Sequence, residues 1–354
     1  GAVRKLKADI EYLFLLDRLT NEIKVQAGTE NPNANIYYGS IEETLSGVLA
    51  RVLAKSKRGF INGMITGYSK SGGDGEDVRP FAVFAENGVP VQLKWTAQTD
   101  MHSMFLQVRL TPLQETILGL RDTRSEGYQL CYWVLGDFVP AACYISKLSW
   151  DPSISADQFW RQYLERILGP DAVPSALEGF QILDEGTGYA FWKIEAGFPL
   201  PGVFKDHFDA GRPDAKLERK RRYYEDAVIP LRRAQQQATP AGGKFLDYFI
   251  ARAEYTVLLL RCLSTLDHAG ETYKKRDDAR RRRDGQQYFL LDRQVLRQLD
   301  EALEAIEVAA RVLARIVEDQ CDRGTLAATN IYGIDYIRSL RHLVRLDATA
   351  WHWS

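Results

Sequence analysis

Apolar positions along this chain follow two different rhythms, one before Trp150 and another after it. In the first part, helical and strand-like stretches alternate. Leu6, Ile10, Leu13, Leu16, Leu19 and Ile23 stand three or four apart and predict an amphipathic helix over residues 3–26. Asn35 to Gly39 reads as a short strand. The helix predicted from about Ile41 to Ala54 opens on Ser40 with Glu43 three residues later, a reciprocal pairing that satisfies amides at a helix start. Phe60 to Tyr68, Pro90 to Trp95 and Tyr128 to Val134 are β-compatible, and Leu113 to Leu120 behind Pro112 is a short helix. Between them, Ser69 to Glu76 is a loop by its glycine and polar content. Strands separated by helices, with polar residues just past the strand ends, predict βα units of a parallel sheet or barrel.

After Trp150 only helical spacing remains. Ser155 with Gln158 forms a second capping pair, and Phe159-Trp160, Tyr163-Leu164 and Ile167-Leu168 share one face until Gly169-Pro170 stops the helix. A short helix follows over Ser175 to Leu183, then an aromatic Gly- and Pro-rich loop from Gly186 to Pro201. Further helices are predicted at about 213–237, 243–268, 287–323 and 330–346. Within 287–323, Leu296, Leu299, Leu303, Ile306, Ala310, Leu313 and Val317 alternate spacings of three and four, a heptad seam. Such a seam serves a dimeric coiled coil or the inner helix of an intramolecular bundle. The bundle is the expectation, because short connections supply antiparallel neighbours, and a homodimer through the helices is the alternative.

Composition narrows the possibilities. A chain of 354 residues suggests two or three domains, and 45% hydrophobic with 26% charged residues is ordinary for a globular protein. Forty-six basic against 47 acidic side chains leave a net charge of −1, which removes the whole-chain case for a nucleic-acid or anionic-membrane partner. Two local basic runs, Lys216 to Arg222 and Arg280 to Arg283, are expected to be solvated faces. Acidic residues 277, 278 and 284 interrupt the second. Tyr255 to Leu263 is the most apolar stretch and is cut by Arg261, so no membrane span is expected. Residues 3–25 are too charged for a signal peptide, and the start Gly1-Ala2-Val3 reads as a processed, trimmed or fragmentary chain. Cys131, Cys143, Cys262 and Cys321 form no Cys-x-x-Cys pair. They read as buried reduced thiols, which leans toward the cytoplasm, with a secreted protein holding one or two bridges as the alternative.

Few residues carry recognisable chemistry. Gly72-Gly73-Asp74-Gly75 lacks the Lys-Ser/Thr that follows a phosphate loop, and the five histidines are scattered. No Gly-x-Ser-x-Gly elbow occurs. Neither metal nor cofactor is therefore expected. What remains are acids and aromatics at strand ends: Trp95, Gln98, Asp100 and His102 after one, Tyr132, Trp133 and Asp137 after another. Sugar hydrolysis needs two carboxylates across the scissile bond, a role open to Asp100 and Asp137. Trp95, Tyr132 and Trp133 would stack on sugar rings, with Gln98 and His102 beside them. The plainer alternative is that these aspartates cap helices and the tryptophans fill a core.

One stretch adds a resemblance. Residues 127–183 run from Gly-Tyr-Gln-Leu-Cys-Tyr-Trp through Ser-Trp150-Asp-Pro-Ser and Phe159-Trp160 to Leu168-Gly-Pro170 and beyond. The pattern resembles the end of the catalytic barrel in large (β/α)8-barrel glycoside hydrolases with an all-helical C-terminal domain, of the α-glucuronidase and β-N-acetylhexosaminidase-like groups. It implies an α/β plus all-α fold, with the C-terminal part of a TIM-like barrel over 1–150 and a helical domain over 151–354. A complete barrel needs about 250 residues, and this chain has room for about half. The implied function is a glycoside hydrolase, or the C-terminal portion of one, acting on a carbohydrate. A non-catalytic helical interaction module and a sugar-binding relative without turnover are the alternatives.

Overall fold

The computed structural model describes residues 61–65, 86, 88, 91–96, 105–108, 110–111, 113–114, 117–118, 127–131, 135–186 and 201–352. The helices expected at 3–26 and 41–54, the strand at 35–39, the 69–76 loop and nearly all of the aromatic loop before Pro201 lie outside these residues. Two compact units divide the chain: Gly1–Leu93 with Asp122–Tyr128, and Lys94–Arg121 with Gln129–Ser354.

Three short strands, β1 (Ile61–Ile65), β2 (Val91–Thr96) and β3 (Gly127–Cys131), are hydrogen-bonded in chain order. They match the cores of three expected strands. Everything described from Leu135 onward is helical or a connection between helices: α1 (Leu135–Trp150), α2 (Ala156–Leu168), α3 (Val173–Gly186), α4 (Pro201–Ala210), α5 (Ala215–Gln237), α6 (Pro240–Arg281), α7 (Gly285–Ala314), α8 (Gln320–Ala328) and α9 (Asp335–His352). A six-residue π-helix, Thr329–Ile334, joins α8 to α9.

This architecture corrects the α/β expectation. From Leu135 onward the described residues form a helical array, and the three short strands make no portion of a TIM-like barrel, whose wall requires parallel strands each followed by a helix. The resemblance to barrel glycoside hydrolases is withdrawn with it. One local cause is identifiable. Residues Leu135-Gly136-Asp137, read as the close of a strand, instead open α1. Phe138, Ala141, Tyr144, Ile145 and Leu148 recur at three- and four-residue intervals and bury one face of that helix. Pro140 falls in its second turn and has no N–H to offer the Gly136 carbonyl.

The later helices follow the sequence more closely. α2 is capped by Ser155, whose hydroxyl accepts from the Gln158 amide at 3.2 Å while Gln158 Oε1 accepts from the Ser155 amide at 3.0 Å. Its aromatic face packs inward, with Trp160 stacked on Phe180 of α3 at 4.4 Å and Phe180 edge-on to Phe249 of α6 at 5.1 Å. α6 is buried over much of its length, with an exposed stripe through Asp247, Arg261, His268 and Lys275, and it packs against α2, α4, α5 and α7. Where α4 crosses it the backbones touch: a Cβ on Gly270 would stand 1.9 Å from the Phe208 carbonyl oxygen. The predicted seam of α7 is turned inward. Leu299, Ile306, Ala310 and Leu313 are buried, Leu296 and Leu303 are half-buried, Val317 lies past the helix end, and α6 is the helix against which α7 packs most extensively.

Candidate functional site

Of the residues expected to carry chemistry, Asp137 is the one whose side chain is described. Backbone placement puts Trp95 in β2. Gln98, Asp100, His102, Tyr132 and Trp133 lie outside the described residues. Asp137 sits in the first turn of α1 and is 2% exposed. Arg252 of α6 grips it from two sides, Nε to Oδ1 at 3.0 Å and Nη2 to Oδ2 at 2.8 Å. The Tyr248 hydroxyl donates to Oδ1 at 3.1 Å and lies 3.5 Å from the Asp322 carboxylate of α8. Burial opposes the charge on Arg252, yet the Asp137 carboxylate holds its pKa above the ordinary arginine value. Burial, reinforced by Asp137, raises that of the Tyr248 phenol. A bidentate buried ion pair with its remaining acceptor sites used is an interior clamp. It joins α1 to α6 and leaves Asp137 no open cleft.

Next to this clamp an extended segment, Phe105–Val108, is buried along its length. The Leu106 amide donates to Thr256 Oγ1 at 3.1 Å, and the Leu106 carbonyl accepts from the Tyr224 hydroxyl at 2.7 Å. Side chains of α5 and α6 thus satisfy both backbone polar groups of Leu106, as burial of those groups requires.

The described surface offers a different kind of site at the corner between α1 and α2. A groove of 510 Å³ lies there, lined by Ser146, Lys147, Trp150, Asp151, Ser153, Ile154, Gln158 and Gln162. The corner is fixed from beneath, because Ile154 is buried and its carbonyl accepts from the fully buried Tyr144 hydroxyl at 3.1 Å. Trp150 closes α1 with its side chain 90% exposed. An indole left that open, on a turn tied down from below, costs hydrophobic free energy with no return inside the fold. Around it the polar groups are preset. Lys147 Nζ donates to Gln162 Oε1 at 3.0 Å, which turns the Gln162 amide hydrogens outward. The capping pair does the same for Gln158. The Ser153 hydroxyl and amide both donate to Asp151 Oδ1 and hold its pKa below the usual carboxylate value, so Asp151 stays ionised with Oδ2 available.

Sequence reasoning passed over Trp150 because it was read as a junction between domains. The usable signal is the stripe of Phe138, Ala141, Tyr144, Ile145 and Leu148, outside which Trp150 falls. Cysteines are divided: Cys262 is buried, whereas Cys143 and Cys321 are exposed, and all three are free thiols. Among the described residues no group of histidine, cysteine or carboxylate side chains could hold a metal ion, and no helix is long and apolar enough to cross a membrane. No protein-family model, curated protein or solved structure matches the chain.

Proposed function

We propose that the helical array is a non-catalytic saccharide-binding module, with the groove beside Trp150 as its binding site. The observation that carries this reading is the exposed indole set on a rigid corner among outward amide donors, an ammonium and an ionised carboxylate. Such an arrangement suits a pyranose, whose apolar ring face stacks on an aromatic plane while its rim of hydroxyls both donates and accepts. The groove volume is in the range of small-molecule sites. Its openness fits a chain end or a run of sugar units better than an enclosed monosaccharide.

Titration of the full chain with soluble oligosaccharides of hexose, pentose and N-acetylhexosamine units, followed by calorimetry, tests the reading. At least one class is expected to bind, with Trp150→Ala reducing affinity by about tenfold or more, the size of a lost aromatic contact. The bound oligosaccharide should be recovered uncleaved. Absence of binding across the panel, or equal binding by Trp150→Ala, would sink the proposal.

A further inference from the structure

A second surface lies where the ends of α6, α7 and α9 converge, and its residues have no part in the saccharide site. Buried Arg276 of α6 donates to Asp292 of α7 at 3.1 Å and also pairs with Asp347 of α9. Arg280 reaches the same Asp347 at 2.8 Å. These bonds fix the C-terminal ends of α6 and α9 and the N-terminal end of α7 at one end of the helical array. There the α6–α7 turn exposes Arg281, Arg282 and Arg283, and Arg293 is exposed on α7. Among the described residues, Arg282, Arg283 and Arg293 make no ion pair. Three large apolar side chains are exposed at this same end: Leu290 at 56%, Leu343 at 61% and Leu346 at 52%. Leu343 and Leu346 stand three residues apart and are neighbours on the α9 surface.

The other basic run offers a useful contrast. On α5, Arg221 is held between Glu218 and Glu225, Arg222 also faces Glu218 and Lys220 is buried, which leaves Lys216 and Arg219 exposed with no exposed large apolar side chain in that run. At the α6–α7–α9 end, cations and leucines are exposed together. We infer that this end docks peripherally on an anionic phospholipid surface. Arginines beside an anionic leaflet gain from its negative potential, and exposed leucines gain by entering the acyl boundary. A soluble polyanion would satisfy the arginines but would leave the leucines in water. Net charge for the whole chain does not oppose such docking, since the surface field decays within a Debye length and only the facing end is felt.

Co-sedimentation of the full chain with vesicles of phosphatidylcholine, with and without phosphatidylserine, is the test. Binding is expected to the phosphatidylserine vesicles alone and to weaken as salt is raised. Each basic residue at the surface contributes about fivefold in partition. Arg282→Glu combined with Arg293→Glu should therefore lower binding by roughly 25-fold or more. Leu343→Ser with Leu346→Ser should lower it by about tenfold or more, and both double variants should keep the wild-type circular dichroism. Absence of binding to the phosphatidylserine vesicles overturns the inference. So does full retention by the leucine variant together with complete competition by heparin, which would assign the arginines to a soluble polyanion.

Discussion

Lys220 is the residue whose surroundings conflict most with its chemistry. It lies on α5 between Leu217 and Tyr224, one turn from each and on the same inward face, and is 2% exposed. Burial pushes its pKa down to about 8 from 10.5, against the opposing pull of Asp214. Between those two values the folded chain holds a neutral amine while the unfolded chain holds an ammonium. Stability therefore rises as pH climbs from about 8 to 10.5, and below 8 the fold bears the cost of a buried charge. Lys220→Met should remove that slope. Urea midpoints measured across this pH window should show the wild type gaining on the variant by up to about 1.4 kcal/mol per pH unit. Parallel profiles would contradict the argument. Gly136 makes a comparable point by shape, since a Cβ there would stand 2.2 Å from the Tyr248 hydroxyl. Gly136→Ala is expected to cost about 1–3 kcal/mol, and loss of the Tyr248 contact with Asp137 in a crystal structure of the variant would show how. Neither effect was legible in the chain, because Asp137 and its partner Arg252 lie 115 positions apart and Lys220 reads locally as one more basic residue in a charged run.

At the scale of elements, local signals predicted best where they were self-contained. The α2 capping pair and its glycine stop lie between Ser155 and Gly169, and the structure reproduces both. Ser155→Ala should cost about 1 kcal/mol, seen as a lower thermal midpoint. It should leave saccharide binding at the Trp150 groove nearly unchanged, since the Gln158 side-chain oxygen accepts from the Ser155 backbone amide, which the substitution keeps. A large loss of affinity would show that the groove depends on the Ser155 hydroxyl. α7 shows a subtler outcome. Its heptad spacing is real, yet the seam is answered by α6 of the same chain, and the helix ends at Ala314 instead of continuing to 323. Asp319 then caps α8 by accepting from the Asp322 amide at 2.9 Å, a start signal hidden inside an otherwise continuous apolar period. The α1 segment carried its helical period all along. No element was expected there, because the strand over Tyr128 to Val134 was carried on to Leu135-Gly136-Asp137.

For the whole molecule, the telling feature is how one short extended segment completes a helical core. Phe105–Val108 is buried against α5 and α6, and Leu110, Leu113 and Ile117 are buried further along the same stretch. A fragment beginning at Gln129 would retain every described helix from α1 to α9 but leave the Thr256 and Tyr224 hydroxyls without their Leu106 partners. Such a fragment is expected to melt well below a chain beginning at Lys94, by several degrees for each kcal/mol lost. Equal melting temperatures would show that the segment contributes nothing. Sequence alone determined the helices whose apolar period, cap and stop lie close together, and it determined that α7 must cover a seam. Those outcomes rest on backbone geometry and on neighbours within a few turns. Tertiary structure alone decided that the seam pairs within the chain, that Asp137 is clamped by Arg252, and that Trp150 stays in water. It also placed the arginines and leucines of α6, α7 and α9 at one end. Each of these depends on which distant surfaces meet, and burial free energy is nearly indifferent to sequence separation, so the pattern of one segment cannot encode its partner.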